Sequence, residues 1–124
     1  MSTVTDRPKT RMVWARVYPD KLLAHTQGLS DIATAAYLRF WCHYLKIGQP
    51  VVDNAVVLAR VCGITPRRWN TVRQEWIDAG VVERADGLLR DPLAQSQIAH
   101  YQKRCETNRR NVNHRWTARA EDAS

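Results

Sequence analysis

The stretch from Asp53 to Gly80, DNAVVLARVCGITPRRWNTVRQEWIDAG, limits the folds open to this chain more than any other. It predicts two helices joined by a three-residue turn. Asp53 is placed to cap the first helix, because a carboxylate there accepts from the free N–H groups of the first turn. Val56, Leu58, Ala59 and Cys62 give that helix an apolar side over about ten residues. Gly63 ends it, since a Cβ would oppose the left-handed conformation usual at that position. Thr65-Pro66 opens a second helix at once, with Thr as cap and Pro where its missing N–H costs nothing. Trp69, Val72, Trp76 and Ile77 recur at helical spacing on one side, and Gly80 closes the element. Helix, short glycine-containing turn, second helix is a helix-turn-helix pattern.

The other face of the second helix bears on function. At 100° per residue, Arg67, Asn70, Thr71 and Gln74 point away from the tryptophan stripe, with Arg68 and Arg73 on their flanks. Arg can bridge two acceptors on guanine, and Asn or Gln can pair with adenine, so these are the side chains of a major-groove reader. They are equally the side chains of a solvated helix face.

Charge and cysteine usage narrow the class. The 124 residues suit one domain with its own core, and a net charge of +7 suits a polyanionic partner. Cys42, Cys62 and Cys105 form an odd set, and the apolar helical settings of two of them predict reduced packing residues in a cytoplasmic protein. The N-terminal MSTVTDRPKTR lacks the apolar run of a signal peptide, and no stretch approaches a membrane span. His25, His43, His100 and His114 show no zinc-ligand spacing with the cysteines. There is no glycine-rich phosphate loop and no nucleophile elbow. The expectation is a non-enzyme without metal or cofactor.

The remaining segments fit around that pair of helices. Residues 1–12 predict a disordered lead, Val13 to Tyr18 a short edge strand stopped by Pro19, and Lys21 to Gly28 a turn or two of helix. Ser30 caps a long helix that Gly48 and Pro50 end. Its polar strip is only Arg39, His43 and Lys46, which predicts a buried pillar, with a stacking platform for single strands as the alternative for its aromatics. Val51-Val52 predicts a short strand. VVERADGLLR predicts a hairpin about Asp86-Gly87, a dipeptide suited to positive φ at both central positions. A hairpin directly after the second helix is the wing of a winged helix. Arg84 and Arg90 would meet phosphate there, although Glu83, Asp86 and Asp91 stand beside them. Asp91-Pro92 starts a last helix, with Leu93, Gln97, His100/Tyr101 and Arg104 at helical steps. Before the acidic end at Glu121-Asp122, Lys103, Arg104, Arg109, Arg110, Arg115 and Arg119 oppose only Glu106, and Asn108, Asn111 and Asn113 weaken helix propensity. This tail is either a segment that orders on phosphate or a solvated terminal helix. The chain thus divides into a lead (1–12), a winged-helix domain (13–102) and a basic helix or tail (103–124), mainly α with a small hairpin.

AAYLRFWCHYL, Gly48-x-Pro50, LARVCGITPRRWNTVR and Asp86-Gly87, in that order, resemble a small bacterial and prophage family of unknown function. Its members carry a GAYLRLL helix, then LARLCGVS-x-R-x-W and a closing DG hairpin. That family looks like the winged-helix N-terminal domain of phage replication-initiation proteins, which bind origin DNA and recruit helicase loaders. The resemblance covers about residues 13–110 and implies that Arg67, Arg68, Asn70 and Thr71 lie on a recognition helix. Ala35 stands where the family often has Gly, and Val51-Val52 replaces a usual Leu-Pro. Two functions follow as expectations. One is duplex-DNA binding in phage or prophage replication or regulation. The other is a phage-borne adaptor or inhibitor that grips a host protein or nucleoprotein complex. A homodimer paired through exposed aromatics is a third reading.

Overall fold

Residues 15–123 are described in the computed structural model of the chain. The lead at 1–12, and Val13 and Trp14 of the expected strand, lie outside them. Residues 15–18 take no regular structure, so the expected edge strand is absent from the described part. This segment is held by a side chain instead: Gln97 Nε2 donates to the Arg16 carbonyl at 2.7 Å. Pro19 then opens α1 (Pro19–Thr26).

The long helix α2 (Asp31–Ile47) begins where Ser30 Oγ accepts from the Ala33 N–H and ends at Gly48, whose φ of 83° only glycine adopts freely. Ala33, Ala36, Tyr37, Phe40, Trp41, Tyr44 and Leu45 are buried along it. The pillar is nevertheless one-sided: Ile32, Ala35, Leu38 and Cys42 face solvent. The other helices cover only one flank of α2, so apolar residues on its far flank stay wet.

Strand β1 (Val51–Val52) leads into α3 (Ala55–Cys62), a three-residue turn, and α4 (Pro66–Asp78). Gly63 adopts the left-handed conformation expected of it, at φ 73°. The cap of α3 is Asn54 rather than Asp53: Asn54 Oδ1 accepts from the N–H groups of Val56 and Val57. The Asp53 N–H is bound to the Gly87 carbonyl, which holds this residue beside the sheet and frees its carboxylate to turn inward. Thr65 stands at the cap position of α4, but its hydroxyl makes no cap hydrogen bond.

Trp69 and Trp76 of α4 are fully buried and meet edge to face, with centroids 5.5 Å apart. Trp76 packs on Phe40 at 5.1 Å and on Tyr37 at 5.9 Å, and its indole N–H donates to the Ala33 carbonyl. Glu75 reaches across to the start of α2, accepting from the Ser30 hydroxyl and backbone N–H. Such a pair of tryptophans is worth several kcal/mol of burial, so α4 is fixed on the core by its own side chains.

Strands β2 (Glu83–Ala85) and β3 (Leu88–Arg90) form the hairpin, with Asp86 at φ 54° and Gly87 at φ 72°. β1 pairs with the other side of β3, giving an antiparallel three-stranded sheet in the order β1-β3-β2. The fully buried Asp91 then caps α5 (Pro92–Ala123), accepting from the Leu93 and Ala94 N–H groups, while its other oxygen accepts from the Tyr37 hydroxyl at 2.7 Å. Burial, then the neighbouring Asp91 carboxylate, holds the Tyr37 phenol far above its usual range. The core lies between α2, α3, α4, the sheet and the start of α5, where Ala94 and Ile98 are buried. Beyond residue 104 the side chains of α5 are exposed through residue 120. The helix runs unbroken across residues 102–103 and past the asparagines. Each Asn costs only about 0.7 kcal/mol against Ala, and the Glu106–Arg110 pair at 2.6 Å supports this stretch. No described helix is long and apolar enough to cross a membrane.

Candidate nucleic-acid interface

The outward face of α4 divides into two parts. In its first part Arg67, Arg68, Asn70 and Thr71 are exposed, and neither guanidinium forms an ion pair with a described residue. No acidic residue occupies this first turn. Two cations therefore stand at the positive end of a helix dipole, an arrangement that an incoming anion would relieve.

The second part is committed to the protein itself. Arg73 Nη1 donates to Asp53 Oδ2 at 2.8 Å, and Arg84 Nε of β2 forms an ion pair with the same oxygen at 2.9 Å. Trp69 Nε1 donates to the other oxygen at 3.1 Å. The Asp53 side chain is only 2% exposed, so one buried carboxylate ties the middle of α4 to the hairpin. Gln74 donates to Asp78 at 2.8 Å, one turn on, and Glu75 is engaged with Ser30.

Of the expected wing cations, Arg84 is thus half-exposed but paired, and Arg90 lies 3.3 Å from Glu83. On α5, Lys103, Arg109 and Arg115 are exposed, Arg104 is half-buried, and Arg110 is paired with Glu106. Arg119 stacks over the exposed Trp116 at 5.5 Å.

Two further cations stand at the turn before α4. Arg60 is exposed in the last turn of α3. Arg39 of α2 lies over Gly63, its guanidinium carbon 3.5 Å from where a Cβ would stand. Beneath them, burial pushes the Cys62 thiol up to about 12, with Arg39 pulling the other way. Arg60 was readable as a basic residue near a helix end. Arg39 was not, because its place depends on how α2 crosses α3.

A family model described as "Protein of unknown function (DUF1376)" matches residues 13–99, well over half of the chain. The chain belongs to this family. The matched stretch takes in α1 to α4, the sheet and the opening of α5, and stops before the exposed part of α5. The family description assigns no activity. Searches of curated proteins and of solved structures returned no match.

Proposed function

We propose that the chain binds duplex DNA as a winged helix-turn-helix, with α4 facing the major groove and the β2–β3 hairpin as the wing. One observation carries this reading: Arg67, Arg68, Asn70 and Thr71 form an exposed, unpaired face on a helix whose remaining polar side chains are used internally. Their types suit base edges and phosphates. The order helix, strand, helix, short turn, helix, hairpin supports the winged form. Arg39 and Arg60 at the turn, with Lys103, Arg109 and Arg115 of α5, would contact phosphates. Arg84 and Arg90 already have acidic partners, so the wing contributes little charge. The setting implied by the resemblance, phage or prophage replication or regulation in a bacterial cytoplasm without catalysis, belongs to the same proposal.

Titration of labelled duplexes at two salt concentrations tests it. Affinity should fall steeply with salt, since each neutralised phosphate releases counterions. Arg67→Ala with Asn70→Ala should flatten the preference among sequences. Arg109→Ala with Arg110→Ala should weaken all duplexes alike.

A host-protein partner is the second reading, and one feature favours it. Val52 and Leu88 face each other across β1 and β3, 66% and 39% exposed, and Val56 and Val57 on the adjoining α3 are also exposed. A partner held there would survive nuclease treatment in a pull-down and be lost on Val52→Lys.

A further inference from the structure

Where segment 15–18 passes α5, a cavity of about 150 Å³ opens between that segment, α1 and one face of α5. None of its residues belongs to α3, α4 or the sheet. Arg16, Tyr18, Lys21, Ser96, His100 and Tyr101 stand around it, and among the described residues no carboxylate lines it. The Gln97 amide clamps the Arg16 carbonyl at 2.7 Å, which fixes the near wall. Lys21 Nζ lies over the Tyr18 ring, 5.0 Å from its centroid, so a cation and an aromatic face occur together in that wall.

We infer that this cavity binds a 5′-phosphorylated nucleoside. Cations gathered about a concavity repel one another, and a phosphate monoester carrying close to two charges near neutral pH offsets that repulsion. Arg16 supplies a fork that matches phosphate oxygens and Lys21 a point charge. Lys21 covers one face of Tyr18, so the base would stack on the Tyr101 ring or on the other face of Tyr18, as unstacked nucleotides do on aromatic side chains. Ser96 and His100 provide polar edges beside them. A space of about 150 Å³ accommodates one ring system, which leaves the phosphate to the two cations of the lining, Arg16 and Lys21. The ligand is either a free mononucleotide or the phosphorylated end of a strand.

Calorimetric titration of the full chain with AMP, adenosine, inorganic phosphate, and a trinucleotide with and without a 5′-phosphate tests the inference. AMP or the phosphorylated trinucleotide should bind in the micromolar range. The corresponding ligand without its phosphate should bind about a hundredfold more weakly, since it loses two charge-assisted contacts that are worth about tenfold each. Arg16→Ala and Lys21→Ala should each weaken binding about tenfold. Ser96→Trp, which fills the cavity, should abolish it at an unchanged melting temperature. Arg67→Ala should leave it unaltered, which separates this site from the proposed duplex-binding face. AMP binding alone would identify a free nucleotide, and binding of the phosphorylated trinucleotide alone would identify a strand end. Absence of binding by both at millimolar concentration, binding indifferent to all three cavity variants, or inorganic phosphate binding as tightly as AMP would overturn it.

Discussion

The two parts of α4 look alike as sequence and differ in what their polar side chains do. Both carry arginine and amides. From Pro66 to Thr71 the net charge is +2, and from Val72 to Asp78 it is −1. The first part leaves its donors in solvent, whereas in the second Arg73 and Gln74 donate to Asp53 and Asp78 and Glu75 accepts from Ser30. Helical periodicity identifies an outer face but not which of its residues the fold has already used. A cation that stabilises the native state is poorly placed to read a ligand, because reaching out would strand its buried partner.

Substitutions can break this division or refine it. The largest effect should come from Asp53→Ala, which leaves the Arg73 guanidinium and the Trp69 indole without their acceptor. Removing one side of such a buried pair costs about 3 kcal/mol, to be read from urea unfolding. Arg73→Ala should cost about 2 kcal/mol in the same assay, and Arg67→Ala within about 0.5 kcal/mol. Equal losses for the two arginines would erase the contrast between the two parts. The ground beneath the turn is probed by thiol reagents: Cys42 and Cys105, both exposed, should be modified quickly, and buried Cys62 only on unfolding.

Alkaline titration gives a further check. The Cys62 thiol is raised from an ordinary 9.0 to about 12, so the folded state holds its proton longer than the unfolded chain. Its contribution is therefore fully present below 9.0 and fades as pH rises towards 12, and Cys62→Ala should flatten that decline. The smallest effect belongs to His43, lowered from 6.5 by burial and then by Lys46. Here the unfolded chain binds the proton more readily, so stability should fall as pH drops below 6.5, and His43→Asn should reduce the fall.

Local chemistry was legible where one residue and its neighbours decide the outcome. Ser30 caps α2, Gly63 takes positive φ, Pro66 opens α4, Asp86-Gly87 turns the hairpin and Asp91 caps α5. Each follows from a backbone demand that few residue types meet. What stayed hidden depends on distant partners. Asp53 suits a cap by local rules, yet Asn54 lies one residue nearer the helix and takes the task. The Asp53 carboxylate is left to residues 16, 20 and 31 positions away. Arg73 and Arg84 could not be separated from Arg67 without knowing where that carboxylate points. Val13 to Tyr18 has strand-forming residues, but the described part lies along α5 instead, held by an amide 81 positions away. In the exposed part of α5 the terminal helix is the alternative observed, because a few residues of weak propensity do not outweigh an established helix.

In the proposed function Arg67, Arg68, Asn70 and Thr71 meet a duplex while Arg73 serves the fold. Its most direct test is selection of bound duplexes from a random pool by the native chain and by the Arg67→Ala, Asn70→Ala double variant, with urea midpoints measured for both. Matching midpoints are expected, with an enriched motif for the native chain and loss of that motif for the variant. The same motif enriched equally by both proteins would contradict it.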